Sequence, residues 1–188
     1  VPEAEATLCL HGLSDAQAVA ALSLALGSPY EVTGAAHWPG QGSFLRIEGF
    51  ETSVRYRLGR LQALLAPFGA AEEVASPSVS PWGAIRDVAP LALVPGDLWR
   101  LHLVPSEAAA LVARIGAEAV LYDWGGGLVW VRMAPGADLR ARAGAFRGHA
   151  TCLTRPDPAP EAPGIAALTE GLRRQFDPRG LFSAQTGA

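Results

Sequence analysis

The chain has 188 residues, 49% of them hydrophobic and only 18% charged, enough apolar material for one sizeable core or two small fused ones, which excludes a disordered chain. Its formal net charge of −3 and pI near 5.8 supply no electrostatic reason to approach nucleic acid or an anionic membrane. No apolar run reaches the roughly 18 residues that span a bilayer, and Val1-Pro2-Glu3-Ala4-Glu5 has no basic region leading into an apolar core. The expectation is a soluble, cytoplasmic protein.

In chain order, Ala6 to Leu10 reads as a strand, and Ser14 with Gln17 forms a capping box that opens a helix from Asp15 to Leu26, ended by Gly27. Strands follow at Tyr30 to Trp38 and Ser43 to Glu48, joined by Pro39-Gly40-Gln41-Gly42. Val54, Leu58, Leu61 and Leu65 recur at helical spacing and line one face, leaving Arg55, Arg57, Arg60 and Gln62 mainly for solvent. A short strand at Ala71 to Val74 completes a β-α-β-β-α-β order.

The same order returns after the Pro/Ser-rich connection Ser76 to Pro81 and a short helical stretch near Trp82 to Val88. Strand Trp99 to Val104 precedes a helix from Glu107 to Ile115, for which Ser106 is the expected cap. Strands Ala119 to Trp124 and Leu128 to Met133 flank Gly125-Gly126-Gly127. A helix over Asp138 to Phe146 and a strand over His149 to Thr154 close the unit. The reading is α+β: tandem ferredoxin-like units at 1–75 and 99–155 with antiparallel sheet, a connection at 76–98, and a loop, C-terminal helix (Ile165 to Phe176) and tail at 156–188.

The residue inventory excludes several chemistries. All fifteen basic residues are arginine, which removes lysine Schiff bases and a phosphate-loop lysine. There is no GxGxxG after a strand, no GxSxG elbow and no CxxC pair. Cys9 and Cys152 read as buried thiols in apolar strands. His11, His37, His102 and His149 lack the HxH or HxxxH spacing that presents two metal ligands from one element, so no metal site is expected.

Four residues remain as candidates for a ligand-facing role. Arg86 and Arg100 suit a bidentate carboxylate pair, although an ordinary surface charge is the simpler reading. His149 opens the last strand beside Gly148, where its ring could reach a cleft and titrate near neutral pH. Trp124, like Trp82, Trp99 and Trp130, could stack on a planar ring, with core packing the competing role. The glycine triplet reads as a tight hairpin in preference to a ligand loop, because no helix N-terminus follows it.

Five segments occur in one order: Trp82-Gly83-Ala84-Ile85-Arg86-Asp87, Leu98-Trp99-Arg100-Leu101, Asp123 to Trp130, Gly148-His149-Ala150-Thr151, and Gln175-Phe176-Asp177-Pro178-Arg179-Gly180-Leu181-Phe182. Together they resemble the C-terminal half of the glycolate oxidase FAD-binding subunit family, the GlcE type of FAD-linked oxidase related to vanillyl-alcohol oxidase. After Phe182 the chain departs from that family, reading Ser183-Ala184-Gln185-Thr186-Gly187 where the family reads Asn-Pro-Gly-Arg.

The resemblance implies a cap domain only. FAD would sit in an N-terminal domain missing from these residues, and the cap would cover the flavin ring and shape the substrate side. It further implies oxidation of glycolate, a small 2-hydroxy acid, to glyoxylate, with electrons leaving through a paralogous FAD-linked oxidase subunit and an iron–sulfur subunit. Two cysteines cannot make a four-thiolate cluster, which places the clusters in that partner. The chain alone is expected to hold no FAD and to be inactive. The alternative is a non-catalytic module that docks the partner oxidase and iron–sulfur subunits.

Overall fold

A computed structural model of the chain describes residues 2–74, 80–155 and 163–181. The described part is α+β, built on one eight-stranded antiparallel sheet. In chain order the elements are β1 (Ala4–Leu10), α1 (Asp15–Leu26), β2 (Val32–Trp38), β3 (Gly42–Gly49), α2 (Glu51–Leu65), β4 (Ala71–Glu73), and the short helices α3 (Trp82–Arg86) and α4 (Ala89–Ala92). Then follow β5 (Asp97–Leu103), α5 (Pro105–Ile115), β6 (Ala119–Asp123), β7 (Leu128–Met133), α6 (Leu139–Ala143), β8 (Gly148–Cys152) and α7 (Pro163–Phe176).

The strand order is β4-β1-β3-β2-β6-β7-β5-β8, so the second four strands mirror the first four. The two groups meet at β2 and β6, whose register is the single pair His37↔Tyr122. Strand alternation then divides the core into two faces. On one face α1 and α2 cover Leu8, Leu10, Leu45 and Ile47, while α5 and α6 cover Trp99, Leu101, Val129 and Val131. On the other, α3 and α4 place Ile85 and Leu91 against Ala36, Phe44 and Leu121 at the centre of the sheet. None of the described helices is long and apolar enough to cross a membrane.

Local chemistry explains most boundaries. The Ser14–Gln17 capping box is formed at the start of α1, with the Gln17 N–H 3.4 Å from Ser14 Oγ and the Ser14 N–H 3.1 Å from Gln17 Oε1. Val54, Leu58, Leu61 and Leu65 are the buried face of α2. The glycine triplet joins β6 to β7 through a 3-10 turn at Trp124–Gly126, within which Gly125 (φ 64°) and Gly126 (φ 99°) adopt positive φ.

Four expectations need correction. Ser106 does not cap α5: the helix begins at Pro105 with Val104 in the cap position, because proline's fixed φ and missing N–H suit the first turn. The helix expected over Asp138 to Phe146 stops at Ala143, where Gly144 turns to φ 60°; Asp138 caps it by accepting from the Ala141 N–H at 3.0 Å. The strand expected from Tyr30 starts at Val32, because Glu31 sits at φ 47° and a register shift follows between Val32 and Gly34.

The fourth concerns Arg57, which is buried rather than solvated. Its guanidinium donates to the Glu48 carbonyl at 2.7 Å and the Tyr30 carbonyl at 3.4 Å, and meets Glu31 at 3.1 Å. It clamps the open end of the β2–β3 hairpin, which helical periodicity alone does not reveal. Residues 76–79 of the Pro/Ser-rich connection, residues 156–162 of the following loop, and the tail from Phe182 onward lie outside the described residues.

Candidate functional site

Alternation along β5 sends Asp97, Trp99, Leu101 and Leu103 into the helix-covered core and turns Leu98, Arg100 and His102 to the opposite face. The register places Arg100 between Trp130 of β7 and Thr151 of β8, and His102 between Leu128 and His149. The two imidazoles stack with centroids 4.8 Å apart at an interplanar angle of 17°, and the other side of His102 meets the Trp124 ring at 5.6 Å. Burial, His149 and Arg100, in that order, push the His102 pKa below its usual value, so the neutral ring is favoured. Nε of Arg100 is buried with no hydrogen-bond partner among the described residues.

Trp124 links this strip to a cleft of about 710 Å³ on the same side of the sheet. Six of its lining residues carry the chemistry: Arg46, Trp82, Arg86, Asp123, Trp124 and Trp130. Trp82 is anchored by its indole N–H, which donates to Thr7 Oγ1 at 2.9 Å, and its six-membered ring packs against β2 at Gly34. A Cβ at Gly34 would stand 3.0 Å from the indole, so glycine there opens the room the ring occupies. The Arg46 guanidinium lies 5.2 Å from the Trp82 ring centroid and is tethered by Thr33 and by Glu48 at 3.4 Å. Arg86 is exposed at the rim and forks onto Asp87 at 2.7 and 3.0 Å.

Asp123 is the carboxyl of the cleft. One oxygen accepts the Trp124 N–H at 2.8 Å, and the other has no hydrogen-bond partner among the described residues. Burial raises its pKa, outweighing the opposing pull of that hydrogen bond and of Arg46.

The four residues singled out from sequence thus share one face. Arg86 and Trp124 line the cleft, and His149 reaches it through His102 and Trp124. Arg100 lies two strand positions from His102 and so on the same side, outside the cleft wall. Trp99 is excluded from any ligand role: it is 1% exposed under α5 and α6, with the Arg140 and Arg155 guanidiniums 5.2 and 5.5 Å from its ring. Sequence reasoning did not single out His102, Arg46 or Asp123. His102 had a usable signal, its i+2 spacing from Arg100 on a strand; Arg46 reaches Trp82 only through the tertiary fold.

No protein-family model matches the chain, and no curated protein matches it. The arrangement itself has to carry the functional reading.

A second polar group looks catalytic and is not. Ser43 Oγ is 2.9 Å from His37 Nδ1, and His37 Nε2 is 3.4 Å from Asp15 Oδ1, in the manner of a hydrolase relay. Ser43 is 0% and His37 2% exposed, so no substrate can reach the hydroxyl. Among the described residues no three of His, Cys, Asp or Glu converge on a point that could hold a metal ion.

The glycine triplet beside the cleft offers no backbone cradle for a flavin's pyrophosphate. A pyrophosphate needs open glycine backbone or a helix N-terminus, whereas Gly125 and Gly126 face Leu26 and Val19 of α1. The open face carries an indole that is 61% exposed, two imidazoles and nearby guanidiniums.

Proposed function

We propose that the chain is the substrate-side cap of a flavin-linked 2-hydroxy-acid oxidase subunit, a tandem duplication of ferredoxin-like units that acts on glycolate in the full complex. The observation that supports this most is the continuous His149–His102–Trp124 strip leading into the arginine-bearing cleft, all on the sheet face that the long helices leave open. Aromatic planes exclude water from a flavin ring without competing for its hydrogen bonds, and guanidiniums hold a substrate carboxylate beside it. The FAD would be carried by a separate domain, with electrons passing to a paralogous oxidase subunit and an iron–sulfur subunit. The duplication reading rests on the repeated element order and the mirrored strand order.

The test has two steps. FAD mixed with this chain alone should be lost on desalting, with no residual flavin absorbance. Adding the chain to the separately prepared flavin domain and partner subunits should then permit anaerobic bleaching of the flavin by a 2-hydroxy acid. FAD retained tightly by the chain alone, or no bleaching in the reconstituted complex, overturns the reading.

One observation favours docking as a second role. α7 exposes Ile165, Leu168, Leu172 and Phe176, which fall at i, i+3, i+7 and i+11 along one stripe. Replacing Leu168 and Leu172 by glutamine should weaken assembly with partner subunits while leaving the fold of the sheet unchanged.

A further inference from the structure

The cleft is far larger than glycolate requires. Pockets for drug-sized molecules run roughly 300–1,000 Å³, and this one, at about 710 Å³, sits well inside that class. Three indoles line it: Trp82, pinned by Thr7, with Trp124 and Trp130. A two-carbon acid would leave those surfaces wet and unused. A ligand with a planar apolar body would cover them, each ring contact adding about 0.5–1.5 kcal/mol beyond area burial.

The polar groups are few and differ in kind. Arg46 is fixed over Trp82, and Arg86 stands at the rim on an exposed fork. In the same cleft, Asp123 keeps one carboxyl oxygen without a partner among the described residues. Each guanidinium already faces a protein carboxylate, Glu48 beside Arg46 and Asp87 beside Arg86, and has further N–H groups that can take a ligand carboxylate, while a carboxyl oxygen can accept from a ligand hydroxyl.

Resting on the oxidase reading for the hydroxy-acid class, we propose that this cleft selects a 2-hydroxy acid bearing a planar aromatic side chain. The ring lies against Trp130 and Trp82, the carboxylate meets Arg46 and Arg86, and the 2-hydroxyl donates to Asp123. Glycolate, still a substrate of the full complex, fills the polar end alone and binds more weakly than the aromatic acid.

The probe is 3-phenyllactate, titrated against this chain without flavin and followed by tryptophan fluorescence and calorimetry, with glycolate and 3-phenylpropanoate as comparisons. 3-Phenyllactate should bind at least tenfold more tightly than glycolate, and removing the hydroxyl, as in 3-phenylpropanoate, should weaken binding severalfold. Arg86→Gln, on an exposed side chain, should fold normally and lose affinity severalfold, while Asp123→Asn should erase the difference between 3-phenyllactate and 3-phenylpropanoate. Equal binding of glycolate, no binding of 3-phenyllactate at millimolar concentration, or both variants binding as the parent does, overturns the inference. The two proposals fail separately. Binding of 3-phenyllactate in a protein whose reconstituted flavin no 2-hydroxy acid bleaches defeats the oxidase reading alone. Bleaching by glycolate, with 3-phenyllactate neither binding nor bleaching, defeats this inference alone.

Discussion

The hydroxyl of Tyr122 donates a 2.6 Å hydrogen bond to Oδ2 of Asp15, tying β6 of the second strand group to the first turn of α1 in the first. The bond stands at the seam, where His37↔Tyr122 is the one strand pair joining the groups among the described residues. Burial, the hydrogen bond and the Asp15 charge all hold the Tyr122 phenol protonated, so it remains a donor throughout the working pH range. Hydrogen bonds to charged partners contribute about 1.5–3 kcal/mol, and the partial exposure of Asp15 points to the lower end. Tyr122→Phe should therefore lower unfolding free energy by about 1–2 kcal/mol, read from the shift of a urea midpoint at constant slope. An unchanged midpoint would show that the seam does not depend on this bond.

His37 makes the same seam sensitive to acid. Burial lowers its pKa below the ordinary 6.5, winning over Asp15, which pulls the other way through its charge and hydrogen bond. The folded protein therefore favours the neutral ring, and below about pH 6.5 the unfolded chain binds the extra proton. The contribution is fully present above that value and is lost as pH falls toward the folded-state pKa. Urea midpoints measured from pH 7.5 to 5 should fall for the parent, and His37→Gln should remove part of that slope. Parallel slopes for the two proteins would rule out His37 as the titrating group.

Gly126 is required by packing against another element. A Cβ there would lie 3.2 Å from both methyl carbons of Val19, on a backbone at φ 99°. Gly126→Ala should destabilise by about 2–3 kcal/mol through positive-φ strain and overpacking. A combined Val19→Ala change should recover part of the overpacking loss and leave the strain, a comparison that a double-mutant cycle measures.

Arg57→Ala removes the donor that serves the carbonyls of Glu48 and Tyr30. The loss should be about 1–3 kcal/mol, the usual cost of leaving buried acceptors unsatisfied. Glu31 is 81% exposed and can return to water, so the ion pair itself adds little. Hydrogen exchange should locate the loosening at the open end of the β2–β3 hairpin.

Burial, with a smaller contribution from Glu72, pushes the Cys9 thiol up to about 11, and its side chain is 5% exposed. Cys9 should resist Ellman's reagent at pH 8 in the native protein and react on denaturation. Rapid native labelling at Cys9 would contradict its burial.

Elements whose signals are local were legible without coordinates. The Ser14–Gln17 box, the 3.6-residue spacing of Val54, Leu58, Leu61 and Leu65, and the strand alternation of Trp99 to Leu103 each depend on residues within a turn or two of one another. They predicted the order of strands and helices and the antiparallel α+β class. Ser106 and the length of α6 failed for an equally local reason: Pro105 and Gly144 have backbone preferences that outweigh a hydroxyl or a run of helix formers.

The candidate site was legible only in part. His149, Arg86, Arg100 and Trp124 could be picked by residue chemistry, and they do share a face. Their connection runs through His102, Arg46 and Asp123, whose neighbours lie on other strands. What the sequence determined by itself was the succession of elements and the apolar face of α2, because both follow from nearest-neighbour geometry and hydrophobic period. What only the tertiary structure decided was the joining of β2 to β6 through His37 and Tyr122, the stacking of His102 on His149, the burial of Arg57 and the seating of Trp82 over Gly34. Each of these contacts brings together residues distant in sequence. Their energy comes from a register that no local pattern encodes.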